Sequence, residues 1–111
     1  MLRRMVQMPD TEVLEEIASQ SDLEKRFHLI LLDDNDHTYQ YVVEMLGRIF
    51  GYGKDKSFAL AALVDAQGQA IIETVSRGIA LRHQRLVHAF GADPRITHSA
   101  GSMSAILEEA P

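Results

Sequence analysis

Phe27-His28-Leu29-Ile30-Leu31-Leu32-Asp33-Asp34-Asn35-Asp36-His37-Thr38 is the stretch on which the fold turns. Its first half is a compact apolar run, and four acid or amide residues follow at once. An apolar run of this length with no polar face reads as a covered strand. From Tyr39 the period changes, because Val42, Val43, Leu46, Ile49 and Phe50 recur on one helical face. The strand therefore delivers short polar side chains to its own end, directly before a helix. Asp, Asn and Thr cap helices because a side-chain oxygen accepts an orphan N–H of the first turn. A cap uses one such residue, so this cluster leaves carboxylates and amides over. They form either a solvated turn with a redundant cap or an acidic cup that holds a cation.

The remainder of the chain supplies a partner for that strand and helix. Gly51 and Gly53 end the first helix, and Asp55 is placed to start a second one carrying Phe58, Ala61, Ala62 and Val64. Gly68 stops it. Ile71, Ile72, Thr74 and Val75 favour a strand, and Ser76 is a cap for a third helix with Ile79, His83, Leu86, Val87 and Phe90 on one stripe. Gly91-Ala92-Asp93-Pro94 is a turn, and a polar loop continues to Gly101. Met103, Ala105 and Leu107 then alternate with Ser102, Ser104 and Ile106 as a half-buried strand. The order β-α-α-β-α-β predicts an α+β domain over residues 27–111, a three-stranded sheet packed against three helices. Residues 1–26 are polar and charged, with only Val13, Leu14 and Ile17 as a narrow apolar stripe, and are expected to be a flexible extension.

Composition excludes several classes of function. The chain has 111 residues, 46% of them apolar, enough for one domain with a core. A net charge of −5 argues against a nucleic-acid partner. No apolar run reaches the length of a membrane span, no secretion signal follows Met1, and the absence of cysteine removes disulfide and thiolate chemistry. A cytoplasmic, monomeric protein without cofactors is expected. The five histidines show no metal-ligand spacing, and Ser99, Ser102 and Ser104 have no placed base, so no catalytic residue is expected. Asp33, Asp34, Asp36 and Asp65 are oxygen donors suited to Mg²⁺ or Ca²⁺, which defines the rival metal-binding reading.

Leu31-Leu32-Asp33-Asp34-Asn35, Val42-Val43-Glu44-Met45-Leu46, Gln67-Gly68-Gln69-Ala70 and Leu107-Glu108-Glu109-Ala110, in that order, resemble the ClpS family. The resemblance covers roughly residues 27–110. It implies an adaptor of the ATP-dependent Clp protease, with a fold similar to the C-terminal domain of the ribosomal stalk protein. It further implies that the protein holds the α-ammonium group of an N-degron peptide and seats its large apolar first side chain in a dry pocket. The family's Asn-Asp-Asp falls without gaps on Asp33, Asp34 and Asn35, and with a shifted gap on Asp34, Asn35 and Asp36. The ammonium-binding His of the family is Asp65 here. The resemblance places the pocket at His37, Thr38, Tyr39, Val42, Ala61, Val64 and Met103, with Tyr39 at the family's gatekeeping methionine. Docking on the N-terminal domain of a Clp-family AAA+ ATPase (ClpA- or ClpC-like) maps to Gly78 and His83, with Arg77 and Arg82 beside them. The same fold with an altered ligand or partner is the alternative.

Overall fold

The computed structural model describes residues 25–111, and most of the expected extension at 1–26 lies outside them. Six elements follow in the predicted order: β1 (Phe27–Leu32), α1 (Tyr39–Phe50), α2 (Lys54–Gln67), β2 (Gln69–Val75), α3 (Arg77–His88) and β3 (Ala105–Glu109). The sheet order is β2-β1-β3 with both pairings antiparallel, so β1 is the central strand. That position explains its unbroken apolar run. Leu29 and Leu31 turn to the helices and are fully buried, while Ile30 faces the other way between its cross-strand partners Ile71 and Ile106.

The pairing of β1 with β2 slips between Leu29 and Ile30, leaving Ile72 as the extra residue of a bulge. Its carbonyl accepts the phenol of Tyr52 at 2.8 Å, from the turn between α1 and α2. The sheet is thereby tied to the helical layer at the point where its own ladder breaks. Burial pushes the Tyr52 hydroxyl pKa above its ordinary value, and the neighbouring Glu73 adds to this.

α1 buries Tyr41, Val42, Met45 and Leu46 in the core cluster that also holds Leu29 and Leu31 of β1, whereas Val43 is half-buried. The buried face is therefore rotated by one residue from the expected stripe, because Tyr41 finds a buried partner for its hydroxyl in the Gly91 carbonyl. Gly51 ends α1 with φ 73°, a conformation that needs glycine. α2 begins at Lys54, with Asp55 in its first turn. On α3 the buried residues are Ala80 and Val87, and Leu86, expected on the apolar stripe, is 42% exposed. Ser76 occupies the cap position, but its hydroxyl makes no capping bond and is buried without a partner among the described residues. β3 starts at Ala105 rather than at Met103. Two side chains of α3 hold that start: Gln84 donates to the Ala105 carbonyl at 2.8 Å, and Ala105 N–H donates to His88 Nε2 at 3.1 Å.

Asp93, read from the sequence as part of a turn, is a buried carboxylate that ties two loops together. One oxygen accepts the N–H and hydroxyl of Thr38 at 2.8 and 2.7 Å. The other accepts the N–H and guanidinium of Arg95 at 3.0 and 3.2 Å. Thr38 in turn caps α1, its hydroxyl accepting from Tyr41 N–H. Burial alone would raise the pKa of Asp93, but the bonds from Arg95 and Thr38 outweigh it and hold the carboxyl well below the usual carboxylate range.

Because folding lowers that pKa, the stabilisation is complete above the ordinary carboxyl value near pH ~4 and is lost as the pH falls below it. Asp93→Asn should therefore flatten the acid limb of a stability–pH profile between about pH 4 and 2. Asp93→Ala should cost about 3 kcal/mol at neutral pH in chemical denaturation, since it strands the donors of Thr38 and Arg95.

Candidate functional site

The end of β1 is fixed from both sides before any side chain acts. Leu32 N–H donates to the Ser104 carbonyl at 3.0 Å and Asp33 N–H to the Gly68 carbonyl at 2.9 Å. Asp34 then folds its carboxylate back on its own loop: Oδ1 accepts Asp36 N–H at 2.8 Å and His37 Nδ1–H at 2.7 Å. This is an Asx turn, which a short acid makes readily. The His37 side chain is 3% exposed, is packed against Tyr41 at 4.5 Å, and presents Nε2 to the Gly101 carbonyl at 2.7 Å. The ring thus bridges the Asp34 carboxylate and the Gly101 carbonyl, tying the end of β1 to the segment before β3.

These constraints open a cavity of about 220 Å³ between the end of β1, the start of α1, the end of α2 and the segment before β3. Asp33, Asp34, Asn35 and Asp65 line it, together with His37, Thr38 and Tyr39. Its apolar lining is Val42, Ala61, Val64 and Met103, each no more than 5% exposed. The residues that the resemblance placed in an ammonium site and a side-chain pocket thus surround one space, with a single exception. Asp36 does not line it, and its carboxylate meets His98 at 3.1 Å. The ungapped register, Asp33-Asp34-Asn35, is the one that faces the cavity.

Asp65 stands at the mouth. Its Oδ2 accepts the phenol of Tyr39 at 2.8 Å, a bond that joins the last turn of α2 to the first residue of α1. That bond raises the pKa of the Tyr39 hydroxyl, with partial desolvation and the charges of Asp65 and Asp33 acting in the same direction. The phenol therefore stays a donor throughout the neutral range. The Tyr39 ring is tilted against Phe58 at 5.2 Å. The arrangement is an acid- and amide-edged cavity over an apolar floor, suited to a cation attached to an apolar group.

Among the described residues no group of three or more His, Asp or Glu is placed to hold a metal ion, so Asp33, Asp34, Asp36 and Asp65 do not converge as the metal reading requires. No helix of the described residues is long and apolar enough to cross a membrane. Arg77, Gly78, Arg82 and His83 lie together on α3 and none lines the cavity. His83 is half-buried, with Nδ1 on Glu73 at 2.6 Å and its ring edge-on to Phe50. Asp93, Arg95 and Glu44 support the site from behind. Arg95 bridges Asp93 and Glu44, the latter at 2.7 Å, and its pKa is raised by Asp93 first and Glu44 second. Sequence reasoning missed this network because its members are far apart in the chain and Asp-Pro is an ordinary turn signal.

Comparison with known proteins identifies the family and the fold. The model of the family described as ATP-dependent Clp protease adaptor protein ClpS matches residues 22–95. The ATP-dependent Clp protease adapter protein ClpS of Neisseria meningitidis serogroup B is 36% identical over 63 residues, covering 57% of this chain and 63% of the relative. Its counterpart in Neisseria gonorrhoeae is 35% identical over 63 residues, covering 57% and 61%. The match thus spans less than two thirds of either relative's length. Among solved structures, Agrobacterium tumefaciens ClpS2 bound to L-phenylalaninamide superposes with a TM-score of 0.67 at 17% identity, covering 78% of this chain and 98% of that one. With the family model matching from ahead of β1 to beyond α3, and the fold shared with ClpS2, the chain belongs to the ClpS family.

Proposed function

We propose that this protein is a non-enzymatic adaptor that captures polypeptides by a free α-ammonium group and a large apolar first side chain, and delivers them to an ATP-dependent Clp protease. The observation that carries this reading is the cavity itself, where carboxylates and an amide at the edge stand over Val42, Ala61, Val64 and Met103. An N-terminal residue has the matching division, a cation on one side of its α-carbon and an apolar group on the other. Phenylalaninamide, the molecule bound to the Agrobacterium relative, has both features. In this assignment Asp34 and Asp65 accept from the ammonium, Asn35 and Asp33 complete the polar edge, and the apolar four receive the side chain. Tyr39 and Thr38 close the side nearest α1. Delivery is assigned to α3, where Arg77, Gly78, Arg82 and His83 form the surface that meets the N-terminal domain of the Clp ATPase. The Glu73–His83 contact fixes one member of that surface.

Acetylating the peptide terminus removes the charge and donors that Asp34 and Asp65 would accept. Charge-assisted hydrogen bonds contribute about 1.5–3 kcal/mol each, so phenylalaninamide should bind on the order of a hundredfold more tightly than its N-acetyl form. Equal affinities in calorimetric titration would reject the reading. The floor is tested separately by Ala61→Met, which should narrow the cavity and penalise Phe or Trp at the first position more than Leu, by about 1–3 kcal/mol. Ser104→Ala, at an exposed position outside the cavity lining, is the control and should leave that ranking unchanged.

A further inference from the structure

The bond between Tyr39 and Asp65 crosses the mouth of the cavity and engages a carboxylate that a cationic ligand needs. Tyr39 is the first residue of α1 and is 37% exposed, so its ring is not locked into the core. On α2, Phe58, Ala61 and Asp65 recur at helical spacing and share a face. Tyr39 meets that face at both ends, with its ring against Phe58 and its hydroxyl on Asp65, and the small side chain of Ala61 stands between them in sequence. Phe58 is 55% exposed, an unusual position for a phenylalanine unless it supports something at the surface.

Asp65 shares the cavity with Asp33 and Asp34, and of these Asp34 is already engaged by Asp36 N–H and by His37. The phenol gives Asp65 a neutral donor, and among the described residues no ion pair is formed by Asp65. An ammonium group is a stronger donor to a carboxylate than a phenol, because the bond is assisted by charge on both sides. A ligand carrying one can displace the phenol, whereas a neutral ligand offers Asp65 nothing better than it already has.

We propose that Tyr39 is a latch, closed on Asp65 in the empty cavity with its ring against Phe58, and released when a ligand ammonium takes Asp65 from it. This rests on the cavity being an ammonium site and adds the bond that an entering ammonium must displace. Opening the latch is a cost on association, so Tyr39→Phe, which keeps the ring and removes the hydroxyl, should relieve it.

The test is stopped-flow and calorimetric titration of the full chain with phenylalaninamide and with its N-acetyl form, in the wild type and in Tyr39→Phe. The expected result is phenylalaninamide binding about tenfold tighter in Tyr39→Phe, the equivalent of ~1.4 kcal/mol, with the gain in the association rate and the dissociation rate unchanged. Discrimination against the N-acetyl form should be unchanged in the variant, because both ligands are spared the same opening cost. Wild-type binding with equal or weaker binding by Tyr39→Phe would overturn the latch alone, since the phenol would then be holding Asp65 in place for the ligand. A tenfold gain confined to the dissociation rate would overturn it equally. No binding of phenylalaninamide by either protein would overturn the ammonium reading of the cavity, and the latch with it. Phe58→Ala gives a second route: it removes the ring contact that accompanies the closed bond, so association should be faster with Tyr39 intact, and an unchanged or slower rate would contradict the closed latch.

Discussion

A charged carboxylate with almost no exposed surface holds this protein's two long loops in one arrangement. Asp93 is tolerable in that position only because every neighbour is a donor: Thr38 through two groups, Arg95 through two more. Removing any one donor leaves a buried charge short of a partner, so the loop beyond α3 and the start of α1 cannot shift independently. Thr38 is at once the cap of α1 and part of the cavity wall. The helix that carries Tyr39 and Val42 is consequently set by an acid 55 residues further along the chain. Tyr41 and His37 reinforce the same junction, one on the Gly91 carbonyl and the other on that of Gly101.

The carboxylates at the cavity are not equivalent, although the sequence presents them as a run. Asp34 is committed to a turn and to His37, so its orientation is fixed. Asp33 is held by its backbone at the meeting point of all three strands and leaves its side chain to solvent. Asp36 is turned away toward His98. Asp65 comes from α2 and accepts the neutral phenol of Tyr39. The space is thus edged by one carboxylate fixed in a turn and by one on an exposed position of a helix.

Much of the fold was legible in the sequence because the deciding signals are local. The apolar run of β1, the change of period at Tyr39 and the glycines at 51 and 68 each act within a few residues, and the element order followed from them. The cavity residues were reachable only through the resemblance to a family, because nothing in their spacing brings Asp65 or Met103 to the end of β1. What escaped was set by tertiary partners. Tyr41 is buried because the Gly91 carbonyl receives its hydroxyl, Leu86 is exposed because α3 turns Ala80 and Val87 inward, and the start of β3 is decided by Gln84 and His88. Asp93 has the sequence context of any Asp-Pro turn, and its role depends on a threonine that is remote in the chain.

The central position of β1 has a consequence for how the protein is made. Its two neighbours are β2 and β3, and β3 is the last of the six described elements. During synthesis the first strand leaves the ribosome long before residues 105–109 exist, and one of its edges stays open until they arrive. Pairings of such long sequence separation are slow, and they leave apolar strands exposed in the meantime. The cavity shares this delay, since Met103 and the loop anchored by Asp93 are translated after both helices that wall it. A nascent chain therefore has no complete cavity, and the cavity is finished together with the closure of the sheet.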